Sequence, residues 1–304
     1  MKSRLWLNLA LLILIAILVS FVYFKPGVNK PKPPDVLTNL QATDINSIKI
    51  KPANMPAVEL VRASSGWQMV APRQLQADQF LVKTLLDNIH GDVSSGFPAN
   101  QADLGQYALS PPHLRLWLNG TEFDFGGTEP IHNNRYVKTG DEIRLTGNLL
   151  YYRINHPPLW WASKKLLPED ARIIGLQLPD ATLTLKAGKW QLMPTNLAVS
   201  SDAIQTLVDN WKNAQAISTD NIGNGKPQGE VAIELAGSSQ PLRFAILKDP
   251  NFLILARPDL GLQYELDSGQ RPALLELISG KTPPGNADKP LKSPNHQSTG
   301  KAEY

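Results

Sequence analysis

Hydrophobic and polar positions divide the chain into regimes with different periods. Residues 5–24, LWLNLALLILIAILVSFVYF, form about twenty positions without a charge. At roughly 1.5 Å rise per residue such a run spans the ~30 Å hydrocarbon core as a helix. Trp6 and Tyr23 stand near its ends, where amphipathic rings prefer the membrane interface. The apolar run continues to Phe24 with no Ala-x-Ala site after it, which predicts an uncleaved signal anchor and not a signal peptide. Residues 25–36, KPGVNKPKPPDV, hold four prolines and no periodicity; this composition favours extended polyproline II and a semi-rigid stalk. Residues 281–304 also lack apolar periodicity and are expected to be a disordered tail.

Between stalk and tail the pattern recurs. Asp44 precedes Ile48 and Ile50, followed by Val58-Glu59-Leu60 and Gly66-Trp67-Gln68-Met69. Asp170 precedes Ile174 and Leu176, followed by Leu183-Thr184-Leu185 and Lys189-Trp190-Gln191-Leu192. Period-two alternation predicts short strands with one buried face, and Trp67 and Trp190 read as equivalent core residues. Each copy then enters a helix, capped by Asp78 or by Ser200–Ser201. Ile204, Leu207, Val208 and Trp211 fall at i, i+3, i+4 and i+7, and Leu81, Leu85 and Ile89 form a similar stripe, giving each helix one apolar face for its sheet.

Strands return after each helix. Leu114, Leu116 and Leu118 alternate up to Asn119-Gly120, a strong hairpin signal, with Phe123 and Phe125 beyond it. Glu122 and Asp124, between those phenylalanines, read as the solvated face. The second copy offers Val231, Ile233 and Leu235, then Leu242, Phe244 and Ile246. Further strands fit residues 135–138, 143–145, 252–256 and 262–266. Hairpin-rich strands with few helices predict an α+β fold. The expected architecture is an N-terminal tip and transmembrane helix (1–24), a stalk (25–36), two tandem α+β repeats (37–168 and 169–280), each an antiparallel sheet with a packed helix, and a tail (281–304).

Charge adds little. The formal net charge is +3, from 30 basic and 27 acidic residues. Lys2 and Arg4 precede the apolar run, which leaves the remainder nearly neutral, with no long basic run to track a phosphate backbone; nucleic acid is not an expected partner. Cysteine is absent, which excludes disulfides, thiolate catalysis and cysteine-based metal centres. Lys2 and Arg4 on one side of the anchor and Lys25, Lys30 and Lys32 on the other nearly balance the positive-inside count. Cysteine avoidance fits an oxidising compartment and tips the expectation to a bacterial inner-membrane protein whose large domain is periplasmic.

The Trp67 strand with Pro72, the segment Tyr107-Ala108-Leu109-Ser110-Pro111, and Phe125-Gly126-Gly127-Thr128 followed by Arg135-Tyr136-Val137 resemble the bacterial DUF4340 domain family, of unknown function, over roughly residues 40–280. The family pattern usually has glycine where Ala108 stands. The resemblance implies a membrane-anchored extracytoplasmic domain, and some relatives look like auxiliary components of ABC transport systems, including those associated with gliding motility. It carries over no catalytic residue.

Motifs for chemistry are sparse. His90, His113, His132, His156 and His296 form no ligand pair at metal-site spacing. Gly225-Lys226 is followed by Pro227, and Asp220 stands where a phosphate loop needs its first glycine; Gly280-Lys281-Thr282 has Leu275 there. No G-x-S-x-G elbow occurs. No cofactor, metal or catalytic residue is expected. Two segments merit a functional reading. Trp160 and Trp161, after Pro157-Pro158-Leu159, either present aromatic anchors to a partner or fill the junction between the repeats. Gly126-Gly127-Thr128 with Arg135 and Tyr136 either binds an anionic or sugar ligand or makes a glycine turn before a strand. The leading expectation is a non-enzymatic, membrane-anchored interaction module, an accessory or scaffold subunit of an envelope complex such as an ABC transport system. It contacts the lipid bilayer through residues 5–24 and a membrane or envelope protein through its body. The alternative is a module binding a glycan, lipid or peptide in an inter-repeat groove; an enzyme ranks third.

Overall fold

A computed structural model describes residues 6, 10–17, 19–20, 35–195 and 199–277. The tail 281–304 and most of the stalk lie outside these residues, as does much of the anchor stretch. Residues 10–17 are helical, and their side chains are exposed, among them Leu11, Leu12, Ile13, Leu14, Ile15 and Ile17. Among the described residues no helix is long and apolar enough to cross a membrane. The last two residues assigned to the stalk are instead a short strand, β1 (Asp35–Val36), paired with β6 (Asp92–Pro98).

The remaining strands are β2 (Ser47–Pro52), β3 (Val58–Ala63), β4 (Gly66–Ala71), β5 (Leu75–Gln76), β7 (Leu114–Leu118), β8 (Thr121–Thr128), β9 (Arg135–Thr139) and β10 (Glu142–Thr146). They are followed by β11 (Ile173–Gln177), β12 (Thr182–Lys186), β13 (Lys189–Met193), β14 (Ser218–Asn221), β15 (Pro227–Leu235), β16 (Leu242–Leu247), β17 (Phe252–Arg257) and β18 (Leu262–Asp267). Helices cover Gln79–Leu86, Leu149–Ile154, Ser201–Asn213 and Gln270–Leu275. The strands form two antiparallel sheets, so the fold is α+β.

The chain divides into two compact units. The first comprises Met1–Ile45, Leu85–Leu116 and Thr121–Ile154, with strand order β1-β6-β10-β9-β8-β7. Its core holds Leu114, Leu116, Phe123, Phe125, Val137 and Ile143, as the alternation requires. The second comprises Asn46–Thr84, Trp117–Gly120 and Asn155–Tyr304. It contains the β2-β3-β4-β5 meander and an eight-stranded sheet, β13-β12-β11-β15-β16-β17-β18-β14.

Local signals act as their chemistry dictates. Asn119 and Gly120 take φ of 48° and 87°, the left-handed pair that a two-residue hairpin needs; the Asn119 Oδ1 also accepts from the Asn46 and Ser47 amides at 2.8 and 3.1 Å. Asp78 Oδ1 accepts from the Phe80 and Leu81 amides, and Ser200 Oγ from the Ala203 amide, so both helices carry the expected caps. Ile204, Leu207, Val208 and Trp211 are all buried, and the Trp211 indole donates to the Leu274 carbonyl at 2.7 Å. The first helix stops at Leu86, before Ile89, yet Ile89 is buried.

Three expectations change. Trp67 is buried but Trp190 is only half-buried, so the two tryptophans are not equal parts of the core. In β11 a register shift between Ile173 and Gly175 turns Ile173 inward and leaves Ile174 half-buried; a bulge breaks strict alternation. Asp124 shares its strand face with half-exposed Arg115 and Glu122, but is itself less open than a solvated face implies. Its side chain is largely buried, 3.1 Å from the Arg115 Nε, and its Oδ1 has ion-pair proximity without hydrogen-bond alignment.

Candidate functional site

Arg135 and Tyr136 lie in the first unit at the start of β9. Arg135 is buried. Its Nη1 donates to the Gly126 carbonyl, its Nε to Asn148 Oδ1 at 2.8 Å, and its guanidinium lies 3.6 Å from the Tyr151 ring centroid. These contacts make Arg135 a cross-brace between β8, β9 and the Leu149–Ile154 helix. Tyr136 is half-buried, edge-on to Tyr107 at 4.7 Å. Gly126 is needed because a Cβ there would come within 2.2 Å of the Tyr107 carbonyl oxygen. The adjoining β8–β9 loop wraps Glu129, whose carboxylate accepts from the Ile131 and His132 amides at 2.8 and 2.7 Å. Burial opposes ionisation of Glu129, but these amides and that of Asn134 outweigh it and hold the carboxyl below its ordinary range.

Trp160 and Trp161 separate. They end a 3-10 turn, Pro158–Trp161, in the second unit. Trp161 is 1% exposed, and its indole Nε1 has no hydrogen-bond partner among the described residues. Trp160 is 37% exposed, stacked on His156 at 4.4 Å with the Lys164 ammonium 4.9 Å from its ring. The turn is fixed from both sides: the Asp78 amide donates to the Trp161 carbonyl at 2.8 Å, and the Thr219 hydroxyl to the Leu159 carbonyl at 2.6 Å.

Beyond Trp161 the chain runs extended. Ala162 bridges Ala77, the Ser163 amide donates to Gln76, Lys165 bridges Gln215, and the Ala216 amide donates to Lys164. This strap forms one wall of a cleft of about 560 Å³, with residues 74–80 opposite and Gln215, Arg257, Leu260, Leu262 and Tyr264 completing it. All of these belong to the second unit. At the cleft Lys164 Nζ meets Asp78 Oδ2 at 3.2 Å. Phe80, two residues beyond that carboxylate, is 73% exposed. The Trp160 ring lies 4.9 Å from the Lys164 ammonium of the same ion pair.

Deeper residues of the cleft come from β17 and β18. Leu255 pairs with Tyr264 and Arg257 with Leu262, so Arg257 and Tyr264 are diagonal neighbours on one sheet face. Arg257 is 8% and Tyr264 5% exposed. Arg257 spends Nε and Nη2 on Asp259, at 2.9 and 2.7 Å. Its plane lies over Phe244, 5.4 Å from the ring centroid. Among the described residues Nη1 and the Tyr264 hydroxyl have no hydrogen-bond partner, yet neither is sealed from solvent. Burial raises the Tyr264 pKa, only partly offset by Arg257, so this hydroxyl keeps its proton and donates. Sequence reasoning missed these two residues. The available signal was an arginine ending the apolar run FLILAR, whose last five residues are all buried.

Among the described residues no group of three or more His, Cys, Asp or Glu side chains is placed to hold a metal ion. The family described as "Domain of unknown function (DUF4340)" matches residues 67–229. No curated protein and no solved structure matched the chain.

Proposed function

We propose, from the premise that this chain belongs to the DUF4340 family, that it is a non-enzymatic interaction module held at a membrane by its N-terminal apolar segment. In this reading it is an accessory or scaffold subunit of a bacterial envelope complex such as an ABC transport system, with its body on the periplasmic side. The observation that carries it is the helix at residues 10–17, whose large apolar side chains are all exposed. A helix apolar on every side needs an apolar environment, and a bilayer supplies one. The exposed rings of Phe80 and Trp160 beside the Asp78–Lys164 pair support partner contact, since aromatic anchors dominate interface energetics. Crosslinking in the native membrane followed by mass spectrometry tests the proposal. Recovery of a membrane or envelope protein through Phe80 or Trp160 is expected; a chain that crosslinks to nothing and washes off the membrane in salt and carbonate would overturn it. A C-terminal reporter active only after export should likewise be active.

The same reading includes two tandem copies, residues 37–168 and 169–280. Strand order supports it: β6-β10-β9-β8-β7 has the sequence of steps of β14-β18-β17-β16-β15, and β2-β3-β4 that of β11-β12-β13. A second functional reading is favoured by the cleft, which joins residues 74–80 of one copy to residues of the other. Its size is that of a small-ligand site. In that reading the chain is a ligand-binding module of the envelope.

A further inference from the structure

We infer that the end of the first unit formed by the β8–β9 loop and the Leu149–Ile154 helix dips into the lipid headgroup region, as a second membrane contact beside the N-terminal segment; this rests on the reading of that segment as a membrane anchor. Three large apolar side chains stand out there: Ile131 is 82%, Leu149 56% and Tyr152 62% exposed. Single exposed apolar residues are ordinary, whereas a cluster marks a contact surface. The fold gathers these three. The Asn148 side-chain amide donates to the Asn133 carbonyl, and Arg135 Nε to Asn148 Oδ1 at 2.8 Å, which ties the loop carrying Ile131 to the start of the helix. Leu149 and Tyr152, at i and i+3, share one face of that helix.

The position of the patch selects a bilayer as its occupant. Strand register sets Asp35 opposite Val93, Val93 opposite Thr146 and Thr146 opposite Arg135. The chain thus enters the sheet on the row of residues from which the loop and the helix spring, three strand spacings or about 14 Å from Arg135. Residues 21–34 separate Asp35 from the apolar helical stretch, and a chain of that length spans at most about 50 Å. The tether therefore keeps this end of the first unit within reach of the surface in which the anchor sits. Leucine, isoleucine and a tyrosine ring are side chains that the interface accepts, and Arg153, exposed on the same helix, suits lipid phosphate. Glu129, the acidic group of the loop, is buried and engaged by backbone amides; Asp35 and Asp92 lie across the row on β1 and β6.

Because the chain has no cysteine, a single introduced one carries a unique label. Ile131→Cys, Leu149→Cys and, at the opposite end of the same sheet, Asp141→Cys are each coupled to nitrobenzoxadiazole in the full-length chain. Each is reconstituted into phosphatidylethanolamine–phosphatidylglycerol vesicles. Labels at positions 131 and 149 are expected to shift to the blue, lose emission to headgroup-level nitroxide lipid and resist aqueous iodide; the label at position 141 should do the reverse. Ile131→Asp, at a site too exposed to matter for folding, should return the label at position 149 to water. Patch labels as open to iodide as that at position 141, or a label at 149 that stays in lipid with Ile131→Asp, overturn the inference while the anchor reading stands. So do labels shielded from iodide yet untouched by lipid nitroxide, which a covering protein would produce, and equal quenching at all three positions. Extraction of the chain by carbonate overturns the anchor reading and this inference with it.

Discussion

Ala108 has φ 52°, a left-handed conformation that costs an L-residue roughly 1–2 kcal/mol. The turn that a glycine would make is therefore present with alanine in it. It persists because the Ala108 amide donates to Gly105 at 3.0 Å, and the Gly127 amide to Tyr107 at 2.8 Å. Ala108→Gly should raise stability by about 0.5–1 kcal/mol, seen as a higher urea midpoint. Gly126→Ala, driven into the Tyr107 carbonyl, should lower it by about 1–3 kcal/mol. Asp124 supplies a pH-dependent case. Burial, then repulsion from Glu122, pushes its carboxyl above the ordinary value, and Arg115 only partly offsets this. The folded state thus holds the proton longer than the unfolded chain. The cost is absent below the unfolded pKa of about 4 and is complete above the folded one. Asp124→Asn should stabilise the protein at pH 7 and make no difference at pH 3, checked by denaturation midpoints at both values. Alternation assigned Asp124 its face but could not show how far Arg115 and Glu122 on that face cover its carboxylate.

The caps show where local chemistry suffices and where it stops. Asp78 and Ser200 were legible because a cap needs only its own next three amides. Their environments differ: Ser200 only caps, whereas Asp78 also binds Lys164. Ser200→Ala should cost about 1 kcal/mol and Asp78→Ala more, while Asp78→Asn, which keeps the cap and loses the ion pair, should fall between wild type and Asp78→Ala. Thermal unfolding of the three variants checks that order. Strands β6 and β14, with sequences DVSSGFP and STDN, were not legible, because a strand with little apolar alternation has no period to read. The bulge in β11 was hidden for a related reason: an extra residue is defined by its partner strand β15, some sixty residues away in sequence.

At the scale of the whole molecule, Trp67 and Trp190 separate pattern from burial. Trp67 is buried and Trp190 only half-buried, and Gln79 brackets the Trp67 backbone with bonds of 2.8 and 2.9 Å. Trp67→Ala should cost about 3–5 kcal/mol, and Trp190→Ala clearly less, by urea unfolding followed by circular dichroism. Equal losses would restore equivalent core roles. The candidate site was half legible: the tryptophan pair could be located, but which ring faces outward depends on Asp78 and Thr219, far away in sequence. Arg257 and Tyr264 come together only by strand pairing. The second unit is also discontinuous, joining Asn46–Thr84 to residues beyond Asn155. Ala77 meets its bridge partner Ala162 only after a further 85 residues have been made. At about 5–20 residues per second, the meander waits on the order of 4–17 s with that side unpaired. A ribosome stalled midway, or a nonsense codon before Ala162, would thus release an incomplete sheet with an open edge, a substrate for chaperones and proteases and not a shorter working protein.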